Sequence, residues 1–121
     1  MVKIAVHKKD GNDNIIILLE DIRIKWQERE LNIPAGFQCD GCSVPRFLWD
    51  SVSPPLDPCT LRGAVAHDYL YRNCLPGWNR EDADRLFYDC IVADGLPSWR
   101  ARIAYWGVRL WGQSSWQGDA A

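Results

Sequence analysis

Apolar and polar positions alternate through the first third of the chain. Val2 to His7 is a short alternating run, and Gly11-Asn12-Asp13-Asn14 is a turn signal ahead of the apolar stretch Ile15-Ile-Ile-Leu-Leu19. Ile22, Ile24 and Trp26 then alternate with Arg23, Lys25 and Gln27, the two-residue period of a half-buried strand. Ile33-Pro-Ala-Gly-Phe37 is an extended, turn-rich connection, because Pro34 keeps Ile33 out of the helical region. Residues 38–58 hold Pro45, Pro54, Pro55 and Pro58 and read as a long loop that packs through Phe47, Leu48 and Trp49, with one short helical turn at Arg46 to Ser51.

Beyond the loop the period changes from two to between three and four. A helix is predicted from Thr60 to about Asn73, with Leu61, Ala64, Val65, Tyr69 and Tyr71 as its apolar positions. A second runs from about Arg80 to Asp94, carries Leu86, Phe87, Cys90 and Ile91 on one stripe, and stops at Gly95. Pro97 and an N-cap at Ser98 open a third, along which Trp99, Ile103, Trp106 and Leu110 recur at helical spacing and read as a core stripe. Strands first and helices after predict an α+β fold. The expected arrangement is one domain over residues 1–121: a β-rich part to residue 37, the loop at 38–58, a helical part at 59–112 and a tail at 113–121.

Composition narrows the function classes. At 121 residues the chain is long enough to bury its own core, and a net charge of -2 gives no overall field toward nucleic acid. Basic residues gather only near the end, at Arg100, Arg102 and Arg109. The longest apolar run is far too short to span a bilayer, and Met1 to Asp13 has no apolar signal-peptide region, so synthesis in the cytoplasm without a leader is expected. Seven Trp are many for this length and suit cores, interfaces and membrane boundaries alike. Five Cys are an odd number. The single C-x-x-C of Cys39 and Cys42, with scattered Cys59, Cys74 and Cys90, argues for free thiols over a zinc or iron–sulfur site. His7, beside Lys8 and Lys9, reads as a surface residue.

The densest chemistry lies in Ala64-Val-Ala-His-Asp-Tyr-Leu-Tyr-Arg72, with Asp84 on the next helix and Asp40 in the loop before. A short connection from Asn73 to Asn79 makes the two helices antiparallel, so Asp84 can face His67, accept its ring N–H and leave the other nitrogen free to take a proton from water. Asp68 points elsewhere, since neighbouring helical residues are about 100° apart. With Asp40 and a carbonyl near Gly41 it offers oxygen ligands for calcium, which would polarise a substrate carbonyl. The bland alternative is a buried His that simply satisfies an acid, beside a solvated acidic helix face at Asp82, Asp84 and Asp89.

Asp40-Gly-Cys-Ser43, His67-Asp-Tyr-Leu-Tyr-Arg-Asn73 and Asp84-Arg-Leu-Phe-Tyr-Asp89 together resemble the core of the secreted phospholipases A2, closest to their short bacterial and fungal branch. That resemblance covers about residues 39–90. It implies His67 as the base for water, Asp84 as its partner, Asp40 and Asp68 as calcium ligands, and a phospholipase A2-like helical pair. It departs at Ala64, where those enzymes carry a cysteine. A longer pattern spans most of residues 34–112: Pro34 to Phe37, Asp40 to Arg46, His67 to Tyr71, Ala83 to Phe87, and Tyr105 to Arg109. It is similar to small phage and bacterial proteins grouped only as a domain of unknown function. The likeness implies a phage or prophage origin among structural or lysis genes. The leading expectation is therefore a phage-associated, calcium-dependent ester hydrolase acting on host-envelope lipid. The alternative is a non-enzymatic virion component, a tail or tail-tip assembly module whose partners are other tail proteins.

Overall fold

A computed structural model describes residues 3–8, 14–39, 58–73 and 75–111 of the chain. These form antiparallel strands followed by three helices, an α+β fold. They fall into two compact units, Met1–Gly41 and Cys42–Ala121. Most of the 38–58 loop, the short turn at Arg46 to Ser51, the Gly11 to Asp13 turn and the tail after Trp111 lie outside the described residues.

In the first unit, β1 (Ile4–Lys8) pairs antiparallel with β2 (Asn14–Leu18), from Ile4 opposite Leu18 to Lys8 opposite Asn14. A two-residue strand, β5 (Gln38–Cys39), joins the other edge of β2. A separate hairpin is made by β3 (Ile22–Trp26) and β4 (Arg29–Ile33). Alternation places Ile22, Ile24 and Trp26 on its buried side, where Leu31 and Ile33 of β4 join them fully buried. Each such side chain stabilises by roughly 1.5–3 kcal/mol through its removal from water. Pro34 to Phe37 closes as a β-turn, Phe37 N–H donating to the Pro34 carbonyl at 3.3 Å. Gly36 takes the turn's left-handed position at φ +91°, which a side chain would resist. Asp21 pins the same turn by accepting from Ala35 N–H at 2.7 Å.

In the second unit, α1 (Pro58–Asn73) begins with proline, whose missing N–H is harmless in a first turn. The helix α2 (Arg80–Ala93) opens with a capping box: Asn79 accepts from Asp82 N–H at 2.7 Å, and Asp82 accepts from Asn79 N–H at 3.3 Å. It ends in a Schellman motif around Gly95, φ +109°. Leu96 N–H reaches the Ile91 carbonyl, and Gly95 N–H reaches that of Val92. Asp94 then accepts both arms of Arg62 at 3.0 Å, tying the far end of α2 back to α1.

Helix α3 (Ser98–Trp111) corrects two expectations. Ser98 is its first helical residue, not its cap, since Ala101 N–H already donates to the Pro97 carbonyl. And Trp99, Ile103, Trp106 and Leu110 are not core: they are exposed by 59%, 42%, 60% and 67%. The small residues Ala101, Ala104 and Val108 are buried instead, packed with Ala64, Phe87, Ile91 and Leu96. Small side chains let helices approach closely, so they win the inward face despite contributing less apolar area.

Helix α1 packs closely on α2 at Gly63. A Cβ there would stand 2.9 Å from Ile91 Cγ2 and 3.2 Å from the Phe87 carbonyl oxygen. The backbone atom cannot step aside without bending α2. Gly63→Val is therefore expected to destabilise the protein by about 1–3 kcal/mol in urea titration, although valine is the better helix former. An unchanged midpoint would show that the two helices can part freely.

Candidate active site

One carboxylate gathers side chains from all three helices. Asp84, on α2, is fully buried because its neighbours Ala83, Leu86 and Phe87 turn that face inward. Its Oδ1 lies 2.7 Å from His67 Nε2 and accepts from the Tyr71 hydroxyl at 2.5 Å. Its Oδ2 accepts from Arg109 Nη1, on α3, at 2.8 Å. His67 and Tyr71 are four residues apart on α1, hence stacked on one face, with ring centroids 4.1 Å apart. Phe87 covers the imidazole from α2 at 5.2 Å.

Arg80, at the start of α2, completes the network. Its Nε donates to the Tyr71 hydroxyl at 3.1 Å, and its Nη2 donates to the Val108 and Arg109 carbonyls at 3.0 and 2.6 Å. Those carbonyls belong to the last turn of α3, which has no helical N–H left to satisfy it.

Burial and hydrogen bonding act in opposite directions on the central carboxylate. Burial pushes Asp84 up, but the hydrogen bond from His67, with those of Tyr71 and Arg109, outweighs it and holds the carboxyl below its ordinary value. Burial and the adjacent carboxylate push the Tyr71 phenol well above its ordinary range, so it stays a donor. An ionised carboxylate only accepts, so Nε2 of His67 carries hydrogen. In the tautomer that matches this bond, Nδ1 is the nitrogen that would take up a proton, as a general base requires.

Asp68 is buried near the same end of α1, and its Oδ2 lies 3.3 Å from Nε of Arg72, one helical turn on. The other two expected calcium ligands, Asp40 and Gly41, lie outside the described residues. Among the described residues no three His, Cys, Asp or Glu side chains converge as a metal site. Cys90 is a free thiol, pushed up to about 11 by burial and therefore unreactive near neutrality.

Sequence reasoning singled out His67 and Asp84 but not Tyr71, Arg80 or Arg109 as members of this network. Tyr71 had a usable signal, the four-residue spacing from His67 on a helix. The two arginines had none, because their partners are remote in sequence.

Among known families, the sequence model described as "Protein of unknown function (DUF1353)" matches residues 16–108. The chain is 32% identical over 89 residues to "Uncharacterized protein y4jT" of Sinorhizobium fredii, a match covering 74% of this chain and 24% of that protein. It is also 32% identical over 73 residues to "Uncharacterized protein y4iH" of the same organism, covering 60% of this chain and 30% of the relative. The chain thus corresponds to less than a third of either relative's length. No solved structure matches.

Proposed function

The chain belongs to the family described as "Protein of unknown function (DUF1353)", and within it we propose a phage- or prophage-derived ester hydrolase in which His67 activates water. The observation that carries this reading is the anchored carboxylate of Asp84. It holds Nε2–H at 2.7 Å and is itself held by Tyr71 and Arg109, so the imidazole is oriented and its tautomer is set. His67 takes a proton from water, and the hydroxide bonds to the carbonyl carbon of the ester. The tetrahedral intermediate collapses by breaking the acyl–oxygen bond. The imidazolium returns its proton to the leaving alkoxide, giving a carboxylic acid and an alcohol. Phospholipid of the host envelope as substrate follows from the likeness of residues 39–90 to the secreted phospholipases A2.

Calcium, the cation expected from the sequence, is part of the same proposal, with Asp68 as its ligand among the described residues. Asp68 offers the right hard, buried oxygen, but Arg72 already compensates its charge at 3.3 Å. Calcium must displace that guanidinium, so the metal's affinity depends on how cheaply the pair opens. No step above is routed through the metal.

A second reading is favoured by one observation: His67 is only 3% exposed. The same bonds that orient a base also fasten α1, α2 and α3 together, which suits a purely structural role such as a tail or tail-tip assembly module. Fatty-acid release from phospholipid vesicles with calcium separates the two. Activity that is lost with a chelator and in Asp68→Asn supports the hydrolase and its metal. Inactivity on several head groups puts the assembly module first.

A further inference from the structure

We propose that the outer face of α3 is a docking surface for anionic lipid bilayers. Trp99, Ile103, Trp106 and Leu110 recur at intervals of four, three and four residues and form one continuous apolar stripe. All four are exposed, and two are tryptophans, whose large rings and single N–H suit the boundary between acyl chains and head groups. Stripes of this kind are uncommon on a protein that stays in water alone.

The charges beside the stripe identify the occupant. Arg100 and Arg102 are both exposed. At about 100° per residue they fall on opposite sides of the stripe, each roughly 70–90° from its centre. No Asp or Glu occurs anywhere in α3. An apolar centre between two cationic rims is what a helix lying in a bilayer interface presents: the apolar side chains enter, and the guanidinium groups stay level with the phosphates. Arg100 already stacks over the Trp99 ring, 5.1 Å from its centroid, so its stem follows the apolar surface and its head stays at the edge. A second copy of this chain fits less well, because a symmetric pairing would press arginine rims against arginine rims. The helix needs only to lie on the surface, and among the described residues none is long and apolar enough to cross a membrane. The inference does not rest on the hydrolase reading, since it uses no residue of the Asp84 network.

The test is flotation of the full chain with vesicles of phosphatidylglycerol and phosphatidylcholine, and with phosphatidylcholine alone. Wild type is expected to float with the anionic vesicles and to be released by salt. Trp106→Gln, with its melting temperature checked against wild type, is expected to weaken partitioning at least about tenfold. The double variant Arg100→Gln/Arg102→Gln is expected to bind anionic vesicles roughly thirtyfold more weakly, at about 1 kcal/mol per charge, with little change on neutral ones. Wild type that stays with neither vesicle overturns the proposal, as does binding that Trp106→Gln leaves intact. A wild-type dimer in sedimentation that Trp106→Gln renders monomeric also overturns it and assigns the stripe to self-association. This face shares no residue with the Asp84 network, so wild type that floats but releases no fatty acid counts against the hydrolase alone.

Discussion

Asp84→Ala is expected to lower stability by about 3–5 kcal/mol, the usual cost of removing one partner from a buried ion pair, and the melting temperature by roughly 10–20 °C. The reason is what it leaves behind. His67 Nε2–H, the Tyr71 hydroxyl and Arg109 Nη1 would all lose the carboxylate they now share. Water cannot readily replace an acceptor that is fully buried. The loss also has a pH signature. The folded-state pKa of Asp84 is below its ordinary value, so its contribution is present above the unfolded pKa of about 4 and fades as pH falls through the folded value. The gap between wild type and Asp84→Ala should therefore narrow between neutral pH and strong acid, as read by chemical denaturation at several pH values. A gap that is constant or widens would mean that Asp84 is not the anion the three donors require.

His67→Asn is expected to reduce ester hydrolysis by roughly 10²–10⁴, the usual contribution of a positioned base. Asparagine retains an N–H donor for Asp84, so loss of the helix-joining bond does not confound the result as it would with alanine. If Asp84 acts by fixing the tautomer, Asp84→Asn should cost activity even where the protein remains folded, because an amide can turn a donor toward the imidazole. Full activity in folded His67→Asn would exclude the imidazole as base. If the protein is an assembly module, His67→Asn should instead leave no hydrolysis to lose and show its effect in the melting temperature or in particle assembly.

The legible parts of the fold were those that the local period determines. Ile22, Ile24 and Trp26 alternate in the sequence and are buried alternately in the structure. The α2 stripe of Leu86, Phe87, Cys90 and Ile91 is buried as a unit. What sequence hid has physical reasons. Strand β4 went unread because its hairpin turn is Gln27-Glu28, at φ 49° and 62°, where the left-handed geometry favours Asn-Gly. In α3 the period was right and the face was wrong. Large apolar residues dominated the pattern, while close packing selected Ala101, Ala104 and Val108. At the site, helix spacing could bring His67 toward Asp84. Nothing local announced that Arg109, 25 residues on, would reach the other carboxylate oxygen.

That reach bears on how the bundle comes apart. Asp84 on α2 bonds His67 and Tyr71 on α1 and Arg109 on α3, while Arg80 bridges Tyr71 to the last carbonyls of α3. No helix can leave singly without uncovering a charge or a donor on the other two. Sub-global opening is thereby penalised relative to complete unfolding. Backbone amides near the middle of α1, α2 and the last turns of α3 should then exchange with solvent at similar, slow rates. Separate rates for α3 would show it to be an independent cooperative unit.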